Sequence, residues 1–271
     1  MGKPINEKHA IEVALFIVAF ERPFDAITVQ ALPGLQALLK DDYPTFNATN
    51  VMEIRFTDSK IDQQIGAVTG CQLQKFREDG RPAWMLKVEG NAIVVSCMDY
   101  TRWDEVSSKA LGHIKTALTL VKSETNAVVT VIHQIIDRFV AVNKEDYQVE
   151  QVFDTKSRYL TKQALESGTL WHVYQGWFDD VPEFGGKLLN VLNLSTADNP
   201  VGLTTTIDHA VHFQFQPSMA IDALDDLFMR KAFDTLHEKN KDTIRNLLNA
   251  KQQKAITHES VNKATHEELQ D

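Results

Sequence analysis

The segment that most constrains the fold is Pro82–Lys122, in which a tight hairpin runs directly into a long helix. Trp84–Val88 and Ala92–Cys97 are rich in residues that favour a pleated surface. Gly90-Asn91 lies between them, where a short hairpin loop requires a positive φ. The segment therefore predicts two antiparallel strands followed at once by a helix.

The predicted helix begins after Thr101 and has one apolar face. Thr101 and Asp104 have the spacing of a capping pair, and acidic residues in a first turn favour the positive end of the helix dipole. Apolar residues recur at helical spacing along the segment: Trp103, Val106, Ala110, Leu111, Ile114, Ala117, Leu118 and Val121. A helix with such a stripe must bury it, and the sheet begun by the hairpin is the expected partner.

Elements before the hairpin follow from the same periodicities. Ile11–Phe20 predicts a central strand, because apolar residues occupy both of its faces. Ala26–Lys40 predicts helix, and Pro33, which fits a helix start better than an interior, predicts a division into two short helices. Polar residues from Thr57 to Gly66 predict a loop. The strands predicted on either side of it are Val51–Phe56 and Val68–Phe76.

The second half repeats this order of elements. Ala127–Val140 predicts a strand, and Ser218 is placed to cap a closing helix that extends to about Leu248. Three more strands are predicted between them: Leu170–Phe178, Leu188–Leu194 and Leu203–Phe215. The residues of the two halves do not match, so the order of elements alone suggests that residues 1–124 and 125–250 are pseudo-repeats.

Together these elements predict a single α+β domain over residues 1–250, in which long helices pack on one face of a curved antiparallel sheet. Each pseudo-repeat would be a strand, a helix, several strands and a long helix. From Lys251 to Asp271 the composition turns polar, which predicts a C-terminal tail that is a frayed helix or a flexible arm.

Composition narrows the classes of partner. The 271-residue chain carries a formal net charge of -9, which argues against nucleic acid as its main partner, since such surfaces are basic. Two cysteines, Cys71 and Cys97, cannot form a disulfide framework, and this favours a reducing cytoplasm. The apolar run near the N-terminus is shorter than the ~20 residues that cross a bilayer, so no membrane partner is expected.

Sequence motifs for the common chemistries are missing. The chain has no Gly-rich phosphate loop, no G-x-S-x-G elbow, no H-E-x-x-H and no C-x-x-C. On a strand, His209 and His212 point to opposite faces and cannot share a metal. We therefore expect no cofactor and no metal, and the sequence leans away from an enzyme.

Five residues are candidates for binding a ligand or a partner. Trp171, Tyr174 and Trp177 lie in an aromatic-rich strand, and aromatic side chains with one polar edge suit binding surfaces. His209 is predicted to face the core of the sheet. Arg138 closes an apolar strand, where its guanidinium could clamp an anion or pair with a neighbouring acid.

Two alternatives stay open. A curved sheet closed by a long helix can enclose a small-molecule pocket, which would be lined here by Trp84, Trp171, Tyr174 and His209. A hydrolase or nuclease would instead use Asp208, His209 and Arg138, provided that these groups converge within hydrogen-bond reach.

Five short motifs span most of the chain: Ile11-Glu12-Val13, Tyr43-Pro44, Arg102-Trp103-Asp104, Asp137-Arg138-Phe139 and Leu236-His237. Their order resembles an uncharacterised, sporadically distributed bacterial protein family of similar length. The resemblance implies no activity and no functional residue, because the family has no established function. Its patchy distribution implies an association with mobile or defence genes.

The expected function is a non-enzymatic protein-binding module of the bacterial cytoplasm. Its partner would be another protein or a second copy, with a homodimer expected, in an antiviral-defence or regulatory complex. The aromatic strand at Trp171–Phe178 carries this expectation.

Overall fold

The structure is a computed structural model that describes residues 2–6, 9–57, 60–141, 143–145, 147–200 and 202–256. The strands are β1 Gly2–Pro4, β2 Ile11–Phe20, β3 Thr45–Thr57, β4 Lys60–Phe76, β5 Pro82–Glu89, β6 Ala92–Cys97, β7 Ala127–Ala141, β8 His172–Val181, β9 Gly186–Asn199 and β10 Gly202–Ala220. The α-helices are α1 Ala26–Ala31, α2 Gly34–Leu38, α3 Trp103–Val121, α4 Lys162–Glu166 and α5 Asp226–Leu247. Residues 250–256 are also helical.

The chain divides into two compact units. Unit one holds the described residues up to Ala14, together with His133–His212 and those from Asp234 on; unit two holds Leu15–Ile132 and Phe213–Phe233. Strands β2, β7 and β10 each contribute residues to both units. The strand order is β2-β7-β10-β9-β8 in unit one, with β1 beside β7. In unit two it is β3-β4-β5-β6-β2-β7-β10. The pairs β1–β7, β3–β4, β4–β5, β5–β6 and β8–β9 are antiparallel.

The predicted fold class, long helices packed on one face of a curved antiparallel sheet, is wrong. Strands supply most of the regular structure, in a ten-stranded arrangement. Among the labelled helices only α3 and α5 are long, and the others have six residues or fewer. The prediction fails because strands made of polar residues carry no apolar alternation, and the sequence does not distinguish them from loops.

The β3–β4 hairpin is the clearest example of such strands. The predicted loop, Thr57–Gly66, belongs to these strands wherever it is described, since β3 ends at Thr57 and β4 begins at Lys60. Thr57 and Lys60 are themselves register partners. Backbone hydrogen bonds hold such a ladder whether or not its side chains are apolar.

The β5–β6 hairpin and the short helices agree with the sequence. Glu89 and Ala92 are the last register partners of the hairpin, and Gly90 in its turn has a φ of 61°. Pro33 lies between α1 and α2, as its missing amide hydrogen predicts.

Two predicted helix caps are wrong. Thr101 Oγ1 donates to Glu105 Oε2 at 2.8 Å instead of capping the backbone of α3. Ser218 lies within β10, and the cap of α5 is Asp225, whose Oδ1 accepts a hydrogen bond from the Phe228 amide at 2.7 Å. The N-cap residue of α3, Arg102, makes no side-chain capping hydrogen bond, and before α5 both Ser218 and Asp225 are capping residue types, so residue type alone does not identify the cap.

Unit one has a mainly apolar core beneath the second half of α5. Its buried members include Phe139, Phe153, Trp171, Leu192, Leu194, Ile207, Ile244 and Leu247. The predicted polar tail begins inside this unit: Gln252 is fully buried, and its Nε2 donates to the Gly2 carbonyl at 2.8 Å. Residues 257–271 of the predicted tail lie outside the described residues. The predicted pseudo-repeat of 1–124 by 125–250 stays a prediction.

Unit two contains a buried hydrogen-bond chain that ties the turn after α2 to α3. The hydroxyl of Tyr43 lies 2.8 Å from His113 Nδ1, and Asp42 Oδ2 lies 3.2 Å from His113 Nε2. A carboxylate only accepts, so Nε2 carries the hydrogen and Tyr43 donates to Nδ1. Burial raises the pKa of Tyr43 and lowers that of His113, which keeps both groups neutral. Because Tyr43 has no exposed surface, the chain is a structural tie.

Replacing Tyr43 by phenylalanine should therefore lower the free energy of unfolding by about 1–3 kcal/mol, since His113 Nδ1 is left buried without its donor. Urea denaturation measures this change. The matched control is Tyr174→Phe, which alters an exposed side chain and should change stability by less than about 0.5 kcal/mol. Equal effects of the two substitutions would contradict the role assigned to the Tyr43 hydroxyl.

Candidate functional site

Two of the five candidate residues have ordinary structural surroundings. Trp171 is buried with its ring edge-on to Phe153, at a centroid distance of 5.7 Å. Arg138 Nη1 lies 2.7 Å from Glu12 Oε1 in a half-buried ion pair. The first is a core contact and the second a strand-end ion pair.

Trp177 and His209 do come together, in a stack of three rings. The Trp177 ring lies 5.7 Å from His209 at an interplanar angle of 11°, and 4.9 Å from Tyr159 at 29°. The guanidinium of Arg158 lies over Tyr159, 4.9 Å from its centroid. Tyr159 lies outside the strands and shows no periodicity, which is why the sequence does not single it out. The stack holds Trp177 on the inner face of β8.

Three fully or almost fully buried polar side chains accompany this stack: Asn190, His209 and Asn240. Asn190 Nδ2 donates to Asp179 Oδ2 at 3.1 Å, and Asn240 Nδ2 donates to the His133 carbonyl at 3.1 Å. These bonds fix the orientation of both amides. Among the described residues, Asn190 Oδ1 meets no hydrogen-bond partner, and the polar side chain beside the His209 imidazole is that of Asn240.

His209 is neutral at pH 7, because burial lowers its pKa to about 4; Asn240 and Asp179 act in the opposite direction. A neutral imidazole offers one donor and one acceptor. Because the Asn240 side chain interacts with the imidazole, Asn190 Oδ1 and the second ring nitrogen are the acceptors left for a ligand. That set suits a small neutral molecule rich in N–H or O–H groups, or water.

A second buried ionisable group lies on the inner face of β7. Asp137 is 5% exposed, and burial raises its pKa to about 7. No ion pair or hydrogen bond offsets this cost in the described part of the chain. The carboxyl is therefore a source of instability at and above neutral pH.

The outer face of β8 is apolar and exposed. Tyr174 and Phe178 are 69% and 61% exposed. Leu189 and Val191 of β9 are the register partners of Phe178 and Gly176, and both are half-buried. We call Tyr174, Phe178, Leu189 and Val191 the β8 patch. A contiguous surface of this kind is a common mark of an interaction site.

The same strand lies at the end of the strand order and pairs only with β9 within the described chain. Its register runs from His172 to Val181 without a shift. Edge strands are usually protected by bulges, proline or inward-pointing charges. The strand at the other end of the order, β3, has register shifts on both sides of Asn50. The β8 edge lacks such protection over its central residues.

The residues proposed for a hydrolase do not converge. Asp208 and His209 are neighbours on β10 and point to opposite faces. Asp208 Oδ1 accepts from Gln134 Nε2 at 2.6 Å, and Arg138 is bound to Glu12. Of the residues predicted to line a pocket, Trp84 belongs to unit two. Within unit one, Tyr174 is exposed on the outer face of β8 whereas His209 is buried, so these two residues do not line a common pocket.

A cleft of about 530 Å³ in unit two is crossed by two ion pairs, Lys115–Asp226 and Lys122–Asp222, each with an N–O distance of 2.5 Å. Both lysines of the cleft are thus paired with acids, and the third acid of its lining, Asp225, caps α5. Within the described residues, no three His, Cys, Asp or Glu side chains are grouped to hold a metal ion. No described helix is long and apolar enough to span a membrane.

Comparisons with known proteins add little to this geometry. No protein-family model matches the sequence, and no curated protein matches it. One similar solved structure is the di-domain ARO/CYC StfQ from the steffimycin biosynthetic pathway, with 9% sequence identity over 92% of this chain and 99% of that one. Its TM-score of 0.20 is too low to carry an argument about fold or function.

Replacing Asp137 by asparagine should stabilise the protein at pH 8 by up to about 4 kcal/mol, and the gain should vanish near pH 4. The pKa in the folded protein, about 7, lies above the usual aspartate value of 3.8, so the carboxyl costs stability as pH rises from 3.8 through 7. Denaturation at both pH values measures the effect. Asp41→Asn, on an exposed residue, is the control. A destabilised Asp137→Asn protein at pH 8 would contradict the assignment.

Proposed function

We propose that this protein is a protein-binding module, which takes up an extended strand of another polypeptide along β8. The observation that supports the proposal is the exposed β8 patch on a regular strand that pairs only with β9 in the described chain and has no bulge, proline or charged residue between Val173 and Phe178. The bound strand would extend the sheet by one member.

Strand addition uses both features of β8. The backbone edge that faces no other strand of the described residues supplies hydrogen bonds that depend little on the partner's sequence. The side chains of the patch supply apolar contact area and selectivity. Tyr174 and Phe178 are large, carry few rotatable bonds and lie two residues on either side of Gly176, so an incoming strand meets two rigid aromatic anchors. A role in a bacterial defence or regulatory complex rests on the family resemblance and stays a prediction.

Small-molecule binding is a second candidate, and the buried group of Asn190, His209 and Asn240 favours it. Buried polar atoms without partners cost free energy, and a ligand that donates hydrogen bonds to them would recover it. The ligand would be small and neutral, because His209 stays uncharged at neutral pH.

Loss of the β8 patch should abolish protein binding. We expect the double variant Tyr174→Ser/Phe178→Ser to retain at least about tenfold less partner protein than the native chain, since truncating one anchor aromatic costs 2 kcal/mol or more. Quantitative affinity capture with mass spectrometry measures this. The matched control is Ile27→Ser/Leu227→Ser, which removes two equally exposed apolar side chains elsewhere. Equal retention by both double variants would contradict the proposal.

The second candidate is tested at His209. A ligand that occupies the buried polar group should raise the melting temperature of the native protein and leave that of His209→Phe unchanged, because phenylalanine keeps the stacked ring without its nitrogens. Thermal-shift screening with small neutral metabolites supplies the measurement, and His172→Phe, at an exposed histidine, is the control. If no compound distinguishes the two variants, small-molecule binding at this group is excluded.

A further inference from the structure

We infer that the strand taken up along β8 is β8 of a second copy of this chain, antiparallel to the first and related to it by a two-fold axis through Gly176. This inference rests on the proposed function and names its partner. It follows from the self-complementarity of the strand, which a general peptide-binding edge would not require.

A two-fold axis perpendicular to the sheet keeps the outer faces of both copies on the same side. A residue that lies n positions before the axis on one copy is then opposite the residue that lies n positions after it on the other copy. With Gly176 on the axis, Tyr174 lies opposite Phe178 of the second copy, and His172 lies opposite Asp180. Every outer-face residue between His172 and Asp180 therefore meets a residue of matching chemistry.

The aromatic pairs form twice, once on each side of the axis. Cross-strand aromatic pairs stabilise an antiparallel ladder, and the four rings would cover Gly176 from both sides. Gly176 has no side chain to separate them. A Cβ at this position would lie 3.1 Å from the Asn190 carbonyl oxygen, so the strand is closely packed there as well.

The polar residues at the two ends of the outer face favour the same register. His172 and Asp180 are exposed and are the outermost residues of that face; within one copy, His172 is hydrogen-bonded to Asn193 and Asp180 is ion-paired with Lys187. In this register Asp179 and Asp180 face Val173 and His172, so no two acids are opposed. An axis at Asp179 or Asp180 would place an acid opposite its own copy, which is unfavourable.

Neighbouring registers lose the aromatic pairs. An axis at Gln175 places Tyr174 opposite Gly176, and an axis at Trp177 places Phe178 opposite Gly176. Only the Gly176 register matches aromatic with aromatic and base with acid together. These matches make the second copy the occupant that the edge fits best.

Cysteine cross-linking tests this register. Tyr174→Cys and Phe178→Cys are prepared as separate proteins, mixed and oxidised. Directly opposed residues have Cβ atoms about 4.5–5.5 Å apart, close to disulfide range, whereas two copies of the same variant hold their cysteines about 13 Å apart. We expect a disulfide-linked species of twice the 30.6 kDa chain mass in the mixture, at about tenfold or more the yield of either variant alone.

The native cysteines do not interfere with the cross-linking experiment, and a second mixture of variants tests the register. The native thiols Cys71 and Cys97 are buried, and burial raises their pKa values to about 11 and about 12, so few thiolates form to react. A mixture of Tyr174→Cys with Asp180→Cys is the register control, because these residues are opposed only when the axis lies at Trp177. Cross-linking of that mixture in preference to the first would overturn the Gly176 register.

Light scattering of the native protein over a range of concentrations separates the remaining outcomes. A dimer that Tyr174→Ser/Phe178→Ser converts to monomer supports the inference. A dimer that survives this change, or that forms without cross-links in the Tyr174→Cys and Phe178→Cys mixture, overturns it. A protein that stays monomeric also overturns it. If the protein is monomeric but captures a different protein through the β8 patch, the proposed function stands and only the inference of a homodimer fails. If it captures no protein through the patch, both fail.

Discussion

The stacking of Trp177 with Tyr159 and His209 is the interaction on which the proposed binding surface depends. Side chains alternate along a strand, so a contact that holds Trp177 beside His209 and Tyr159 on the inner face also holds Tyr174 and Phe178 on the outer face. A slip of one residue would expose Trp177 and bury Tyr174 and Phe178 where no space is prepared for them. The exposure of these two aromatic residues is therefore a consequence of the interior packing. Leaving their apolar surface in water costs free energy, and the packing of Trp177 offsets that cost.

The interior of unit one also contains polar groups that an apolar core would not need. His209 makes the folded protein less stable as pH falls from the ordinary histidine pKa of 6.5 towards about 4, because the unfolded chain takes up a proton that the buried ring does not. Asp137 acts in the opposite sense, because its cost grows as pH rises from 3.8 towards 7. Apolar residues of similar size would remove both costs. Positions that break a local rule of stability in this way are where function is most often found, which is why the buried amide oxygens beside His209 favour a ligand as the second candidate.

The sequence predicts some parts of this structure well, and the reason differs from part to part. The β5–β6 hairpin is recognisable because Gly90 supplies a backbone conformation that other residues adopt poorly, and α3 because its apolar stripe is long. The β3–β4 hairpin is recognised from the sequence only at Val51–Phe56 and Val68–Phe76, because the polar residues between these segments leave no alternation to read. At the candidate site, alternation correctly separates Trp177 from Tyr174. It does not reveal Tyr159, Asn190 or Asn240, since contacts between distant segments are set by tertiary packing and leave no local pattern.

The two terminal strands of the order explain why pairing along β8 would stop at two copies. A regular edge with an apolar centre is a template for continued strand addition, and a protein that leaves one open risks aggregation. In a two-fold dimer the β8 edges of both copies are paired with each other, so neither edge can pair with a third copy of the chain. The remaining terminal strand, β3, is interrupted by register shifts at Asn50, which twist an edge away from flat pairing. In the described strand order, a smooth edge at β8 and an interrupted edge at β3 would thus favour a closed dimer over a fibre.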